Sequence, residues 1–401
     1  MQITPIMDMD VTGKRLLVRA DLNVPIRDGK VSDTSRIDRF AAGMRPLLEK
    51  GARLVILTHV GRPNGVMDPV YSVDKLRPAL ARALGVPVRF SDVSTGVSAE
   101  ILSRELTDGE VLLCENTRYN PGEEKNDLAL AMEFAKLGDI YVNDAFSCAH
   151  RAHSSTAALA ALLPSAAGPL MIEEIKALTD ALDAPKKPAV AIVGGAKVSS
   201  KISVLKNLVG KLDAVIIGGG MANTFLFAEG IPMGKSLHEA DQVDTVNEIK
   251  ALAAKSGCRI LLPTDIVYAR EFRAKAPRRI AAVDKCPEDA MILDAGPESA
   301  ARFEGELAGA NTILWNGPLG AFEIEPFDRS TVTVARTAAE LTRSGLAVTI
   351  AGGGDTVAAL NAAEVADDFT YVSTAGGAFL EWLEGKTLPG IAALMNSAKA
   401  A

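Results

Sequence analysis

The sequence predicts an α/β protein of two similar-sized domains, each built on a parallel sheet, and three observations carry that prediction. The chain has 401 residues, more than one ordinary core accommodates. Its hydrophobic content is 48% with only 5% aromatic, the balance of an Ala/Val/Leu/Ile-rich folded protein. One pattern also recurs along nearly the whole chain: a short β-branched run ends in a loop of Gly, Asn, Asp, Arg or His, and a helical stretch usually follows.

In order, the runs before residue 160 are KRLLVRADLNVP, ARLVILTHVGRP, EVLLCENTRYNPGEE and DIYVNDAFSCAHR. After residue 185 come PAVAIVGGAKVSSK, DAVIIGGGMANTF, RILLPTDIVYA, NTILWNGPLGAFE and LAVTIAGGGDTVAAL. These runs do not alternate strictly, which is how strands buried on both faces read. Helical stretches such as Asp127–Leu137 and Val243–Lys255 alternate with them, so the expected units are βαβ. Between the two sets, Ile172, Ile175, Leu178 and Leu182 recur at helical spacing until Pro185 and Pro188 end the helix. The expected organisation is therefore a first domain over 1–170, a helical linker over 171–187, a second domain over 188–375, and a segment 376–401 returning to the first domain. Each domain is expected to be a Rossmann-like α/β/α sandwich in its layering.

The net charge of −7 excludes a global basic field for nucleic acid or acidic membrane. Cys114, Cys148, Cys258 and Cys286 are scattered and form no CxxC pair, the pattern of reduced thiols in a cytosol. The opening MQITPIMDMDVTGKR lacks a secretory pattern, and the apolar stretch AALAALLPSAAGPLMI is broken by Pro164 and Pro169 and too short to span a bilayer. A soluble cytoplasmic protein is expected.

In open parallel sheets ligands sit beyond the carboxyl ends of the strands, so the strand-end loops decide the chemistry. The first half offers Asp21 and Asn23, then His59 and Arg62, then Arg118, then Arg151 between His150 and His153. Arg36 lies at a helix start where Thr34 or Ser35 could cap. Guanidinium groups pair bidentately with phosphate or carboxylate, and Asp and Asn can hold a hydroxyl between them. Any one of these side chains alone reads more readily as a surface or structural residue; their convergence suggests a socket for a small polyanion. Cys148, His150 and His153 also have metal-like spacing, but no second ligand pair lies nearby and Arg151 among them would repel a cation.

The second half collects glycines and lysines. Lys197 and Lys201 are four apart, on one face if their segment is helical. IIGGGMAN and TIAGGGDTVAAL each end a strand in three glycines, which let phosphates approach the backbone and a helix start. No GxxxxGK[ST] is present, and neither triple glycine completes GxGxxG. Asp355 is as readily a helix cap as a magnesium ligand from position alone. A nicotinamide oxidoreductase is disfavoured by the missing fingerprint, and a non-catalytic anion sensor by the paired lysines and phosphate loops.

With these motifs, the chain resembles the phosphoglycerate kinase family over essentially its whole length. The blocks that carry the resemblance are VRADLNVP, SRI, THVGRP, ENTRYNPGEEKND, VNDAFSCAHRAHSS, GGAKVSSK, GGGMANTF, WNGPLGAFE, GGGDT and STAGGAFLEWLEGKTLPG, in the family's order. Departures are Thr117 and Tyr119 beside Arg118, Val60, and Ala375 where a glycine is common. The resemblance implies reversible, magnesium-dependent phosphoryl transfer between ATP and the carboxylate of 3-phosphoglycerate, by a monomer; the charge and the absence of a long apolar span add the expectation of no nucleic acid and no membrane. It implies that Asp21 and Asn23 hold the glycerate, that His59, Arg62, Arg118 and Arg151 bind the non-reacting phosphate, and that Arg36 sits at the reacting carboxylate. Lys197 would follow the phosphoryl group in flight, with Gly353 and Gly376 also at the reacting centre. On the nucleotide side the resemblance brings Gly195, Ala196, Lys201, Gly219, Asn316, Glu323 on the ribose, and Gly353, Gly354, Asp355 and Thr356 on the phosphates. Asp355 would carry Mg2+.

Overall fold

A computed structural model describes residues 3–400, with side chains to Ser397. The chain divides into two compact units, one comprising Met1–Ile175 with Thr387–Ala401 and the other Lys176–Lys386.

The first unit carries a six-stranded sheet. Its strands are β1 (Arg15–Ala20), β4 (Arg53–Leu57), β5 (Val88–Ser91), β6 (Val111–Cys114), β7 (Ile140–Asp144) and β8 (Ser165–Ala167), and a separate hairpin pairs β2 (Ile26–Arg27) with β3 (Lys30–Val31). The order is β5-β6-β4-β1-β7-β8 and every pairing in it is parallel. Helices α1 (Ser35–Glu49), α2 (Arg77–Leu84), α3 (Gly96–Arg104) and α4 (Leu128–Ala135) connect them. Parallel strands need such crossovers, and helices over both faces explain why β6 and β7 are buried at every residue. The core gathers Leu16, Val18, Leu54, Ile56, Phe40 and Met44 from strands and α1.

The expected linker helix is α5 (Pro169–Leu182), and it straddles the division at Ile175. Pro169 is its first residue, where the missing N–H costs nothing. Buried Asp144, at the end of β7, accepts from the backbone N–H of Leu170 at 2.8 Å and of Met171 at 3.2 Å. Burial pushes this carboxyl up to about 7, against the pull of those two bonds.

The second unit has its own six-stranded parallel sheet, order β11-β10-β9-β15-β16-β17. These strands are β9 (Ala189–Val193), β10 (Ala214–Ile217), β11 (Arg259–Leu261), β15 (Thr312–Asn316), β16 (Val348–Gly352) and β17 (Tyr371–Ser373). A smaller antiparallel sheet sets β12 (Asp265–Ala269) between β13 (Arg278–Ala282) and β14 (Met291–Ala295). The helices are α6 (Ile202–Val209), α7 (Gly219–Ala228), α8 (Val243–Ser256), α9 (Pro297–Ala308), α10 (Arg329–Arg343), α11 (Gly354–Ala362) and α12 (Gly377–Leu383). Trp315, Phe303 and Val334 are among its buried core.

Strand order reverses between β9 and β15, the place where an open sheet leaves a crevice. There Gly194 N–H donates to the Asn316 carbonyl at 3.1 Å, and a Cβ on Gly194 would collide with the Pro318 carbonyl. The glycine is required by this close approach.

The last helix, α13 (Pro389–Ala400), lies with the first unit, where Gly390 N–H donates to the Ala149 carbonyl at 2.9 Å. The segment grouped with the first unit starts at Thr387, later than residue 376. Helix α12 stays with the second unit because Phe379 packs on Gly352 and Asn207 Nδ2 donates to the Leu383 carbonyl at 2.8 Å. No described helix is long and apolar enough to cross a membrane.

Candidate functional site

In the first unit the residues after β1, β4, β6 and β7 form one bonded network around Arg19. Arg19 is fully buried; its Nε donates to Ser155 Oγ at 2.8 Å and its Nη1 to the Ala20 carbonyl at 2.6 Å. Its Nη2 reaches His59 Nδ1 at 3.1 Å and Cys148 Sγ at 3.8 Å. A guanidinium can only donate, so His59 accepts on Nδ1 and, as a neutral ring, carries its proton on Nε2. Burial, then the charges of Arg19 and Arg118, hold His59 well below the usual histidine range. His153 is pushed down to about 4 by burial and the same two arginines. Both rings are therefore neutral at pH 7.

Asp21 Oδ2 accepts from Arg36 Nη1 at 2.7 Å and from Ser147 Oγ at 2.5 Å. The same Arg36 nitrogen donates to the Asn23 carbonyl at 3.3 Å, and Asn23 Oδ1 accepts from Gly61 N–H at 3.2 Å. Arg118 Nη1 donates to the Gly61 carbonyl at 2.8 Å and pairs with Glu124 at 3.4 Å. Asp21, Asn23, Arg36, His59 and Arg118 are thereby tied together. Arg62 and Arg151 are exposed, and their guanidiniums have no partner among the described residues, which leaves them free for an anion. The cap of α1 differs from expectation: Asp33 Oδ1 accepts from Ser35 N–H at 2.9 Å, while Thr34 Oγ1 donates to Asp38 at 2.7 Å.

The metal question has a geometric answer here. Asp21, His59 and Cys148 offer ligand atoms all within 4.8 Å of one another, whereas His150 and His153 do not join them. Arg19 bonds both His59 and Cys148, so a divalent cation would have to displace a buried guanidinium.

In the second unit a cavity of about 250 Å3 is lined by Gly195, Ala196, Gly219, Glu323 and Asp355, all expected at the nucleotide. Lys201, Asn316, Gly353, Gly354 and Thr356 lie outside its wall. Lys197 and Lys201 do not share a helix face: α6 begins only at Ile202, and Lys201 is its N-cap. Lys197 is exposed, whereas Lys201 turns back to donate to the Gly194 carbonyl at 2.7 Å and the Asn316 carbonyl at 3.0 Å. Burial pulls the Lys201 ammonium down to about 8, opposed by the charge of Asp355.

Behind the cavity, Asn316 Nδ2 donates to the Gly352 carbonyl at 2.8 Å and its buried Oδ1 has no partner among the described residues. Gly353 adopts φ +99° as the N-cap of α11. The Thr356 hydroxyl accepts from Gly317 N–H at 2.7 Å, so this side chain braces the loop after β15 and only its backbone N–H faces the helix start. Asp355 is exposed in the first turn of α11, and its carboxylate makes no hydrogen bond or ion pair with a described residue. A carboxylate without a protein partner beside a glycine-lined helix start fits a hard, oxygen-preferring cation. Gly376 takes φ +54° as the N-cap of α12.

Sequence reasoning missed the apolar wall of this cavity, formed by Leu237, Phe272, Ile292 and Leu293. These come from three distant segments and share no motif. It also passed over Arg19, whose signal was an arginine inside the apolar run LLVRA.

A sequence model of the family described as "Phosphoglycerate kinase" matches residues 6–386. The phosphoglycerate kinase of Ruegeria sp. strain TM1040 is 57% identical over 389 residues, covering 97% of this chain and 98% of that protein. That of Rhodospirillum centenum is 55% identical over 387 residues, covering 96% and 98%. Among solved structures, phosphoglycerate kinase from Coxiella burnetii superposes with a TM-score of 0.92 at 41% identity, covering 98% of this chain and 99% of that one. Phosphoglycerate kinase from Pyrococcus horikoshii OT3 gives 0.80 at 29% identity, with both chains covered at 100%.

Proposed function

The chain belongs to the phosphoglycerate kinase family, and from that premise we propose that it transfers a phosphoryl group reversibly between ATP and the carboxylate of 3-phosphoglycerate, giving ADP and 1,3-bisphosphoglycerate. The observation that supports this most is the division of labour between the two units: an Asp21–Arg36 network with free arginines in one, a glycine-lined cavity with Lys201 and a free Asp355 in the other.

The acceptor carboxylate is already ionised, so the reaction needs no general base, which agrees with His59 and His153, made poor proton acceptors by burial and neighbouring arginines. It needs relief of charge repulsion and in-line placement. Asp21 and Asn23 hold the glycerate; His59, Arg62, Arg118 and Arg151 take its non-reacting phosphate. Arg36, fixed by its ion pair with Asp21, faces the reacting carboxylate. Lys197 accompanies the transferring group, and backbone N–H groups at Gly353, Gly354, Thr356 and Gly376 offer partial positive charge. Lys201 and Asn316 back the nucleotide phosphates, Gly195, Ala196 and Gly219 border the base, and Glu323 receives the ribose. Asp355 would hold Mg2+, which would supply electrostatic relief on the nucleotide phosphates.

Because the acceptor residues and the nucleotide residues belong to different units, the transfer requires the two to meet, by a hinge-like closure that also keeps water from the acyl phosphate. The enzyme acts as a cytoplasmic monomer without nucleic acid or membrane.

The test is a coupled assay with 3-phosphoglycerate, ATP and Mg2+, in which glyceraldehyde-3-phosphate dehydrogenase reports product as NADH loss. Activity that requires all three components and collapses in Lys197→Ala supports the reading. A folded protein that binds ATP yet shows no turnover would send the search to another acceptor.

A further inference from the structure

On the other side of the small sheet from the nucleotide cavity lies a second cavity of about 180 Å3. The two share strands: Ile266 of β12 lines the first, the next residue Val267 lines the second, and Ala295 of β14 borders both. Successive strand residues point to opposite faces, so one sheet separates the two spaces.

The charge of this second cavity is unusual for a protein of net charge −7. Arg278 of β13 and Arg329, first residue of α10, both line it, and no carboxylate does. Neither guanidinium makes an ion pair or side-chain hydrogen bond among the described residues, although Arg15, Arg36, Arg53, Arg89, Arg259, Arg270 and Arg343 all do. The Thr333 hydroxyl on the same wall is likewise without a partner. The nearby helix starts are already satisfied, Glu298 and Ser299 N–H by Asp265 and Ser330 N–H by Asp294. Half-buried Arg278, exposed Arg329 and the Thr333 hydroxyl therefore have no protein partner among the described residues, over a floor of buried Val267 and Ala300 with exposed Ile280 at the rim. Two guanidiniums on one wall with no carboxylate beside them favour an anion there.

We propose that this cavity is a second oxyanion site, with Arg278 and Arg329 as the charged ligands and Thr333 as a neutral donor. Its ligand is a phosphate group, free or on a short carbon skeleton: the volume is several times the ~30 Å3 share of a water molecule, and the floor is apolar. The site stands apart from the residues assigned to transfer, and the inference does not depend on those assignments.

Labelled inorganic phosphate is the probe, measured by equilibrium dialysis of the full chain with saturating 3-phosphoglycerate and ADP to fill the main site. The wild type is expected to retain phosphate that Arg278→Gln/Arg329→Gln loses, with thermal unfolding and kinase turnover of the variant unchanged. Each single variant is expected to weaken that binding by about tenfold, the loss of one charge-assisted hydrogen bond, which serves if the double variant does not fold. Equal phosphate retention by wild type and variants, or none by the wild type, overturns the proposal.

Discussion

Arg19 Nη2 and His59 Nδ1 are 3.1 Å apart, and that bond sets which nitrogen of the histidine faces the site. A buried cation thus orders a neutral ring, and with it the loops after β1 and β4. Replacing Arg19 by Met leaves buried Glu123, whose carboxylate accepts from Ser155, with Arg118 as its remaining positive neighbour and one buried charge fewer. The expected loss is about 3–5 kcal/mol, the range for breaking a buried charged arrangement. Urea unfolding measures it, and a change under about 1 kcal/mol would mean that Arg19 supports nothing.

Arg36→Ala and Lys197→Ala are each expected to lower kcat by about 10²–10³, the effect of removing one preorganised charge at a reacting centre. Arg62→Ala should instead weaken 3-phosphoglycerate binding with a smaller change in kcat. Steady-state kinetics with circular dichroism as a fold control decides, and near-normal kcat in both of the first two variants removes their assigned roles.

With the ammonium of Lys201 drawn down to about 8 by burial, the nucleotide role proposed for it predicts a pH-dependent affinity. Bound phosphates favour the charged lysine, so affinity is level below pH 8 and falls above it by about tenfold per unit. In the free protein the sign for stability is opposite to affinity: the charged form is disfavoured by folding, so this contribution is lost as pH falls through 8. Titration of ADP between pH 7 and 9.5 tests the first statement. Lys201→Arg should flatten the curve, and a wild-type curve that is already flat refutes the role.

Burial pushes the Asp144 carboxyl up to about 7 in the folded chain from an ordinary 3.8. Its contribution to stability is present below 3.8 and is lost as pH rises through about 7. Asp144→Asn keeps an acceptor for the start of α5 and removes the titration, so its thermal stability should depend less on pH in this window. An unchanged pH slope would show that the carboxyl does not titrate there.

Gly353 at φ +99° has room for no Cβ, since one would lie 2.7 Å from Asn316 Nδ2. Gly353→Ala is expected to cost about 1–3 kcal/mol and to weaken ADP binding by shifting the start of α11. Calorimetric titration reads the affinity, and an ADP affinity equal to that of the wild type would detach this loop from the nucleotide.

The layered α/β architecture, the helix near 172–182 and the charged residue types at the strand ends were all legible in sequence. Each rests on local physics: buried parallel strands must be continuously apolar, a proline ends a helix, and phosphate chemistry draws on arginine, lysine and glycine. The family blocks then carried the assignments of Asp21, Arg36, Lys197 and Asp355. Tertiary structure alone decided the rest. Lys201 bends away from Lys197 because the strand ends of β9 and β15 offer two carbonyls, a choice made by residues 115 positions apart. Thr356 is spent on Gly317, Arg19 is sealed under His59 and Cys148, and Leu237, Phe272 and Ile292 meet across one cavity. Unpaired Arg278 and Arg329 also share a wall that no spacing in the chain announces. Spacing along a chain reports which groups can neighbour one another on a single element; which groups from separate elements meet depends on how the sheets are ordered and packed.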